Sequence, residues 1–375
     1  MLVKQLSLTE ENWKESLTKI DFDANLFLLF VSPYFNFKKE ILKSLKKKFP
    51  KATLIGCSTA GEISGITVKD KSISLTVIQF KKVPIKKVST PVVNLEGSYK
   101  SGERIGEALY SEDLKHVLVF SDGLHVNGAD LVDGLKSKLP KVSITGGMAA
   151  DGNHFDKTFV VNDGNMVEKT VVGLGFYGNH LNVGCGSKGG WDSFGVARLV
   201  TKSEKNVLYE LDDLPALTVL EQYKKPFVTA NSISHLLYPL SVRLNENVTP
   251  VIRTIFEANQ ENKSLICKGN IPEGSTVRIM KYNTDRLIIG AENAALNANK
   301  NKNGEAQLAI LISCAGRRNV LKQLVEEEVE AVRAAIGEKP MITGFYSYGE
   351  IAPFDDFSPC ELHNQTMTIT ILSEC

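Results

Sequence analysis

The sequence predicts an α/β protein in which strand–helix–strand units repeat and form two mixed-sheet domains related by a pseudo-repeat. Three stretches of the 375 residues carry this pattern: a buried strand, an amphipathic helix, a second strand and a glycine-containing loop. A further strand follows each loop, and in the first and third units its apolar and polar residues alternate, as in a half-buried strand. Such units favour right-handed parallel crossovers, with their loops gathered at the carboxyl ends of the strands.

The chain opens with residues 1–24, which we expect to be a helical extension because Trp13, Leu17 and Ile20 fall on one face of a helix. The first unit then has a buried strand over 25–31, an amphipathic helix over 36–49 and a strand over 52–55. An alternating strand over 72–77 completes it.

The second and third units repeat this order. The second has strands over 116–120, 142–145 and 170–176 around a helix over 129–139. The third has strands over 307–313, 340–343 and 365–371 around one long helix over 319–336. Loops at 56–62, 146–152 and 344–350 occupy the same place in the three units.

Between the second and third units the pattern changes to short strands. We predict a hairpin over 197–211, a helix over 214–223, strands over 235–243, 251–258, 263–268 and 276–282, and a helix over 285–300. On this basis we divide the chain into an extension (1–24), a first domain (25–212) and a second domain (213–375).

One loop motif occurs twice. It reads Gly56-Cys57-Ser58-Thr59-Ala60-Gly61-Glu62-Ile63 near the start and Gly344-Phe345-Tyr346-Ser347-Tyr348-Gly349-Glu350-Ile351 near the end. Glycine permits backbone angles that a Cβ forbids and lets a ligand approach closely. Two interpretations stay open: a paired ligand site with one carboxylate from each loop, or two turns whose glutamates cap nearby backbone N–H groups.

Composition excludes several classes of protein. Lys plus Arg total 44 and Asp plus Glu total 43, a net charge of +1, so we expect neither a nucleic-acid partner nor an acidic membrane surface. No apolar run is long enough to span a bilayer, and we expect no membrane insertion. Six scattered cysteines without a Cys-x-x-Cys pair predict no disulfide framework and no structural zinc, which fits a reducing cytoplasm.

Other motifs give weaker signals. Two Gly-x-Gly-x-x-Gly matches, at 173–178 and 184–189, do not open a helix that would bind a dinucleotide. Residues 56–60 resemble a nucleophile elbow but lack the following helix. Cys57 is either a nucleophile or a small buried residue. Asp122, at the end of a strand, either lines the same cleft or caps the next turn.

The residues around these loops resemble a known family. Residues 54–63 and 144–152 resemble the two signatures of the FIST N-terminal domain. Residues 215–217, 238–240, 251–253, 274–278 and 342–353 resemble successive parts of the FIST C-terminal domain. The resemblance implies a sensory input module that binds a small ligand, with amino acids as one proposed class. Some family members are reported to bind haem and respond to nitric oxide.

The resemblance also implies signalling partners. Family members occur joined to histidine kinases and to cyclic-di-nucleotide enzymes. We expect this chain to act on such a partner as a separate protein, because it holds no room for an output domain.

Three functions follow, in this order. The first is a sensor of a small polar metabolite, with glutamates for an amine, Arg253 for a carboxylate and tyrosines to close the pocket. Its candidate ligand-binding residues are Gly56, Ser58, Thr59, Gly61, Glu62, Asp122, Gly146, Gly147, Met148, Arg253, Phe345, Tyr346, Ser347, Tyr348, Gly349 and Glu350. The second is a haem-dependent nitric-oxide sensor, with His235 as the candidate axial ligand. The third is an enzyme that uses Cys57 or the pair Glu62 and Glu350. We predict no metal site and no catalytic residue for the first function.

Overall fold

The computed structural model describes residues 1–224, 237–246, 248–300, 304–354 and 358–375. It confirms the α/β fold with mixed sheets. The elements of the first unit are β1 (Leu2–Leu8), α1 (Trp13–Thr18), β2 (Leu26–Val31), α2 (Lys38–Lys48), β3 (Thr53–Ser58), β4 (Glu62–Ser64), β5 (Thr67–Lys69) and β6 (Ile73–Gln79). Those of the second unit are β7 (Ile85–Pro91), α3 (Ser98–Leu109), β8 (Leu114–Ser121), α4 (Gly128–Lys138), β9 (Ser143–Met148), β10 (Val160–Asn162), β11 (Asn165–Val167) and β12 (Thr170–Tyr177).

The third unit starts with one strand and resumes after an insertion. It begins with β13 (Leu181–Lys188). The insertion holds β14 (Asp192–Ser193), β15 (Arg198–Glu204), β16 (Val207–Leu211), β17 (Leu214–Pro215), α5 (Ala216–Lys224), β18 (Leu240–Arg243), β19 (Val251–Arg253), β20 (Ile255–Ala258), β21 (Leu265–Cys267) and β22 (Thr276–Lys281). The unit continues with α6 (Thr284–Lys300), β23 (Leu308–Cys314), α7 (Ala315–Leu321), α8 (Val325–Ile336), β24 (Met341–Ser347), β25 (Gly349–Pro353), β26 (Cys360–His363) and β27 (Met367–Glu374).

The three units build three sheets of the same design. Their strand orders are β1-β6-β2-β3-β10-β11, β7-β12-β8-β9-β25-β26 and β13-β27-β23-β24-β4-β5. The parallel pairs β2/β3, β8/β9 and β23/β24 lie at equivalent places in the three sheets. The last hairpin of every sheet comes from a different unit, since β4 pairs with β24, β10 with β3 and β25 with β9. No sheet is therefore complete without residues from another unit.

These sheets share one central core and carry their helices outside. We call this assembly, residues 1–188 and 284–374, the repeat body. At its centre Phe30, Phe120 and Phe345 pack together, with ring centroids 4.7–6.0 Å apart. Helix α2 covers the outer face of the first sheet, α3 and α4 that of the second, and α6 and α8 that of the third. Burial of both faces explains why the central strands are apolar on both sides.

The described parts of the insertion, residues 192–224, 237–246 and 248–281, form a separate nine-stranded sheet, which we call the inserted sheet. It has its own apolar core, which includes Leu208, Leu217 and Ile255. The boundary predicted between residues 212 and 213 lies within this sheet, between β16 and β17, which pair with each other. The chain returns to the repeat body with α6.

Several elements differ from the sequence prediction. Residues 1–24 hold, besides a helix, the strand β1, which pairs with β6 over its whole length. The helix predicted over 319–336 is interrupted, because Lys322 has a left-handed φ of 52° and a 3₁₀ turn separates α7 from α8. The strand predicted over 251–258 is two strands. The chain changes partner there, from β18 to β21, and Thr254 lies at the break.

A glycine is required at the same position of each parallel pair. Gly56, Gly146 and Gly344 lie opposite Leu29, Val119 and Leu311. A Cβ on these glycines would lie only 1.8–1.9 Å from the carbonyl oxygen of the facing residue. Gly56 and Gly146 also have positive φ angles, 153° and 152°, which L side chains rarely adopt.

We expect Gly146→Ala to lower the free energy of unfolding by about 3 kcal/mol or more, because backbone must move to accept the methyl group. Gly178→Ala is the matched control, since Gly178 also has positive φ (84°) but a Cβ there meets no atom within 4 Å. The control should lose only about 1 kcal/mol. Urea unfolding of both variants measures this, and equal losses would contradict the steric argument.

Candidate functional site

The three glycine loops meet and are joined in a ring by backbone hydrogen bonds. The N–H of Ala60 donates to the carbonyl of Tyr346 (2.8 Å) and the N–H of Ala150 to that of Ser58 (2.9 Å). The N–H of Tyr348 donates to the carbonyl of Met148 (3.3 Å). The two Gly-Glu-Ile loops are thus packed against each other and against the second unit's loop, with no open cleft between their backbones.

The two glutamates make equivalent hydrogen bonds inside this packing. Glu62 accepts from the hydroxyl of Thr59 and from the N–H (3.1 Å) and hydroxyl (2.7 Å) of Ser72. Glu350 accepts from Ser347 (2.7 Å) and from the N–H (3.2 Å) and hydroxyl (3.0 Å) of Thr366. Each carboxylate therefore ties its loop to the start of a neighbouring strand. This matches the interpretation in which the glutamates cap backbone N–H groups.

Asp122 performs the comparable task in the second unit, which has no glutamate in its loop. Its carboxylate accepts the N–H groups of Leu124 (2.8 Å) and His125 (2.9 Å) and, just before β12, the N–H of Lys169 (2.8 Å). The hydroxyl of Thr158 also donates to it at 3.0 Å.

A cleft opens beside the ring, where the repeat body meets the inserted sheet. It consists of two cavities of about 130 Å³ and about 30 Å³, and both are lined by Lys268 and Tyr348. We call this pair of cavities the Lys268 cleft. Its other walls include Gly123, Leu124, Asn127, Met148, Asn206, Leu362 and Asn364 on the larger side and Phe155, Thr254, Phe256, Asn319, Ser347 and Gln365 on the smaller side.

Lys268 is the distinctive group of this cleft. Its ammonium nitrogen lies 3.7 Å from the centroid of the Phe256 ring and 5.9 Å from that of Phe155. Within the described parts of the chain it has no ion-pair partner and donates no side-chain hydrogen bond. Burial lowers the pKa of Lys268 to about 8, because an ammonium group that loses water without gaining a counter-charge is destabilised.

The local backbone explains how Lys268 reaches this position. The lysine follows β21, and its N–H donates to the carbonyl of Thr254 at 2.9 Å. Thr254 lies at the break between β19 and β20, and its side chain is buried, with 5% exposed. The Thr254 hydroxyl has no hydrogen-bond partner among the described residues. A buried hydroxyl of this kind is costly unless a ligand or water satisfies it.

An aromatic wall completes the cleft. Phe155 stacks on Tyr348 (centroids 4.8 Å apart) and contacts Phe256 edge-on (5.1 Å). Phe155 has a left-handed φ of 53°, which is uncommon for a bulky residue. The Tyr348 hydroxyl donates to the carboxylate of Asp151, and burial with this acceptor raises the pKa of Tyr348.

Only part of the predicted ligand site faces the cleft. Met148, Ser347 and Tyr348 line it. The others belong to the buried loops and the core: Gly56, Ser58, Thr59, Gly61, Glu62, Gly146, Gly147, Phe345, Tyr346, Gly349 and Glu350. Tyr346 does not close a pocket, because its hydroxyl donates to the buried carboxylate of Glu328 at 2.6 Å.

Arg253 is also committed to the protein. It is 4% exposed and donates to the carbonyl oxygens of Asn270 (3.2 Å), Ile252 (3.2 Å) and Leu362 (2.8 Å). Burial lowers the pKa of Arg253 to about 10. The guanidinium thus joins the inserted sheet to β26 of the repeat body.

Sequence reasoning missed Lys268, Thr254, Phe155 and Phe256. Lys268 was placed at the end of a predicted strand, and Thr254 and Phe256 inside another. No local motif marks any of them. Lys268, Thr254 and Phe256 meet within the inserted sheet, and Phe155 joins them through the contact of the two bodies. The one available signal was Cys267-Lys268-Gly269-Asn270, a lysine beside a glycine after a short strand.

The structure also bears on the nucleophile, haem and metal-site interpretations. Cys57 is fully buried, and burial raises its pKa well above the usual range, which opposes a thiolate nucleophile. His235 lies outside the described residues. None of the four cavities described is lined by a histidine. In the described ranges no three His, Cys, Asp or Glu side chains are arranged to hold a metal ion.

Two family models match this chain. The FIST N domain matches residues 25–214 and the FIST C domain matches residues 216–353. The chain belongs to the FIST family. None of the helices in the described ranges combines the length and apolar composition needed to cross a lipid bilayer.

A curated relative and two solved structures are also similar. An uncharacterized protein of Methanocaldococcus jannaschii is 28% identical over 320 residues, which are 78% of this chain and 60% of that protein. The chain thus spans about 60% of that relative's length. Cyanuric acid hydrolase from A. caulinodans and a second cyanuric acid hydrolase structure match with TM-scores of 0.38 and 0.37. Their identities are 9% and 7%, and each alignment covers 100% of this chain and 99% of the other.

The buried glutamates generate a pH prediction. Burial raises the pKa of Glu62 to about 8, above its ordinary value of 4.5, so the folded state binds more protons than the unfolded state between these values. The free energy of unfolding therefore falls as pH rises through this range. Glu62→Gln removes this titration. Between pH 5 and pH 8 the free energy of unfolding of the variant should therefore rise by a few kcal/mol relative to that of the wild type.

Urea unfolding at pH 5, 6, 7 and 8 measures this difference. Glu96→Gln, at an exposed carboxylate, is the control and should keep the pH dependence of the wild type. A Glu62→Gln variant with the same pH dependence as the control would show that Glu62 is ionised throughout.

Proposed function

We propose that this chain senses a small metabolite with an acidic group, bound in the Lys268 cleft. FIST domains are sensory domains of signal transduction, and the chain belongs to that class. The observation that carries the proposal is a partly buried ammonium group, on the wall of a cavity between two bodies, for which the described residues supply no counter-charge. A ligand carboxylate would supply the missing charge in a site of low dielectric, where the attraction is strong.

The rest of the cleft favours a small and partly polar ligand. A cavity of about 130 Å³ is smaller than the roughly 300–1,000 Å³ typical of drug-sized ligands. Leu124 and Leu362 offer apolar contacts, and Asn206 and the Thr254 hydroxyl offer polar ones. Amino acids belong to this class of ligand.

In this proposal the loop residues divide into two groups. Met148, Ser347 and Tyr348 contact the ligand directly. Glu62, Glu350 and Asp122 hold the loops and strand ends in place and do not touch it. The anion-binding role moves from Arg253, whose donors are used by carbonyl groups, to Lys268.

The position of the cleft gives the ligand a way to transmit a signal. Lys268, Thr254 and Phe256 come from the inserted sheet, whereas Tyr348 and Phe155 come from the repeat body. A ligand that binds one relative arrangement of these bodies more tightly shifts the population toward it. We propose that a separate signalling protein, such as a histidine kinase or a cyclic-di-nucleotide enzyme, reads this change by contact.

We expect Lys268→Met to weaken the binding of acidic ligands. A thermal-shift screen of the twenty amino acids and of small organic acids first identifies a ligand, and calorimetry then measures its affinity. Loss of a charge-assisted contact of about 2 kcal/mol weakens binding roughly thirtyfold. Lys281→Met is the control, because Lys281 is an exposed lysine of the same sheet near an aromatic ring (5.7 Å from Phe194). Equal affinities for the two variants would refute the role of Lys268.

We expect Thr254→Val to weaken ligand binding while it changes the free energy of unfolding little. The hydroxyl has no partner among the described residues, so its loss should change the free energy of unfolding by less than about 1 kcal/mol. If the hydroxyl binds the ligand, affinity should fall roughly fivefold or more. Urea unfolding and calorimetry of the same variant give both numbers. Reduced stability with unchanged affinity would assign the hydroxyl to the fold alone.

A further inference from the structure

We infer that Lys268 captures a ligand carbonyl group as a reversible imine. The inference rests on the proposed function, because it concerns the same cleft, and it names the ligand's second functional group. The ligand would then be a small acid that also carries an aldehyde or a 2-oxo group.

The geometry around the amine supports this chemistry. A lysine that serves charge alone usually has a carboxylate or several carbonyl oxygens around its nitrogen, as Lys136 has with Asp133 (2.9 Å) and Glu361 (3.0 Å). Lys268 instead has its nitrogen 3.7 Å from the Phe256 ring centroid and lines both cavities of the cleft. Its lone pair, once the amine is neutral, is therefore free to reach a bound molecule.

The amine is also available in its neutral form. Burial lowers the pKa of Lys268 to about 8, against about 10.4 for a lysine in water. A desolvated lysine of this kind is an activated nucleophile. Near neutral pH the neutral amine is thus a substantial minority of the Lys268 side-chain population. In exposed lysines it is only a trace.

The reaction balances without an oxidant or a reductant. The nitrogen lone pair attacks the carbonyl carbon and forms a C–N bond, and the C=O electrons move to oxygen. Both protons of the amine leave with that oxygen as water, and a C=N bond remains. Addition of water reverses each step, so the protein can release the ligand unchanged.

Reductive trapping tests the inference on the full chain. Pyruvate, glyoxylate or propanal is added with cyanoborohydride, which adds hydride to the imine carbon and fixes the adduct as a secondary amine. Peptide mass mapping then compares the rate of modification at Lys268 with that at exposed Lys281. We expect Lys268 to react roughly tenfold faster or more. Faster trapping of pyruvate than of propanal is expected for an acidic ligand, and the reverse order would contradict the acidic group of the proposed ligand.

Two comparisons separate this inference from the proposed function. L-lactate should stabilise the wild type in a thermal-shift measurement and form no adduct, and Lys268→Arg, which has no nucleophilic amine, should form no pyruvate adduct at position 268. L-lactate differs from pyruvate only by having a hydroxyl in place of the carbonyl. If acids stabilise the wild type and Lys268 reacts no faster than Lys281, the imine is refuted and the proposed function stands. If no acid stabilises it and no adduct forms, both are refuted.

Discussion

The ring of backbone hydrogen bonds between the three glycine loops is the constraint on which the rest of the structure depends. Because the hairpin after each loop completes another unit's sheet, the chain must pass through the centre three times and leave in a different direction each time. Two conditions make this crossing possible. Gly56, Gly146 and Gly344 let the parallel strands approach without a Cβ, and the Ala60, Ala150 and Tyr348 N–H groups find acceptors on the next loop.

The crossing also explains the buried carboxyl groups. Strand ends that lie inside the molecule leave backbone N–H groups that water cannot reach, and each needs an acceptor. Glu62, Glu350 and Asp122 supply acceptors at equivalent places, although burial penalises the ionised form of a carboxyl group. The third unit adds a buried ion pair: Arg317 donates to Glu328 at 2.7 Å, and Tyr346 donates to the same carboxylate. This pair fixes α7 and α8 against β24, where a missing partner would leave an uncompensated charge.

The sequence predicts the repeat well because each unit is encoded locally. Buried strands, the helix face of Ile41, Leu42 and Leu45, and the glycines are patterns within a few residues of each other. The exchange of hairpins is not local, since nothing in residues 62–69 shows that their partner is β24, almost 280 residues later. For the same reason the repeated glutamates were read as a candidate ligand site.

The cleft was less predictable than the fold. Tyr348, Ser347 and Met148 were identified because they belong to the loop motifs. Lys268 and Thr254 lie on the inserted sheet, and their position depends on how that sheet packs on the repeat body. Thr254 reaches the cleft because the chain changes partner strands at that residue. This change depends on pairing with β18 and β21 and not on the sequence around Thr254.

The junction between the two bodies has an apolar part, where Met280 of the inserted sheet lies in one buried cluster with Leu287 and Leu321 of the repeat body. Beside the cleft it is held by polar contacts: Asn270 to Asp130 (2.9 Å), the Thr254 N–H to Asn364 (3.2 Å), and Arg253 to the carbonyl of Leu362 (2.8 Å). Polar junctions between domains resemble transient interfaces, in which relative motion is the ordinary expectation. The Lys268 ammonium and the strained Phe155 add contacts that are individually unfavourable or weak. In the proposed function, an acidic ligand neutralises Lys268 and so removes one of these unfavourable contributions only in the arrangement of the two bodies that binds it. A modest binding energy in a cavity of about 130 Å³ can therefore bias the position of the whole inserted sheet.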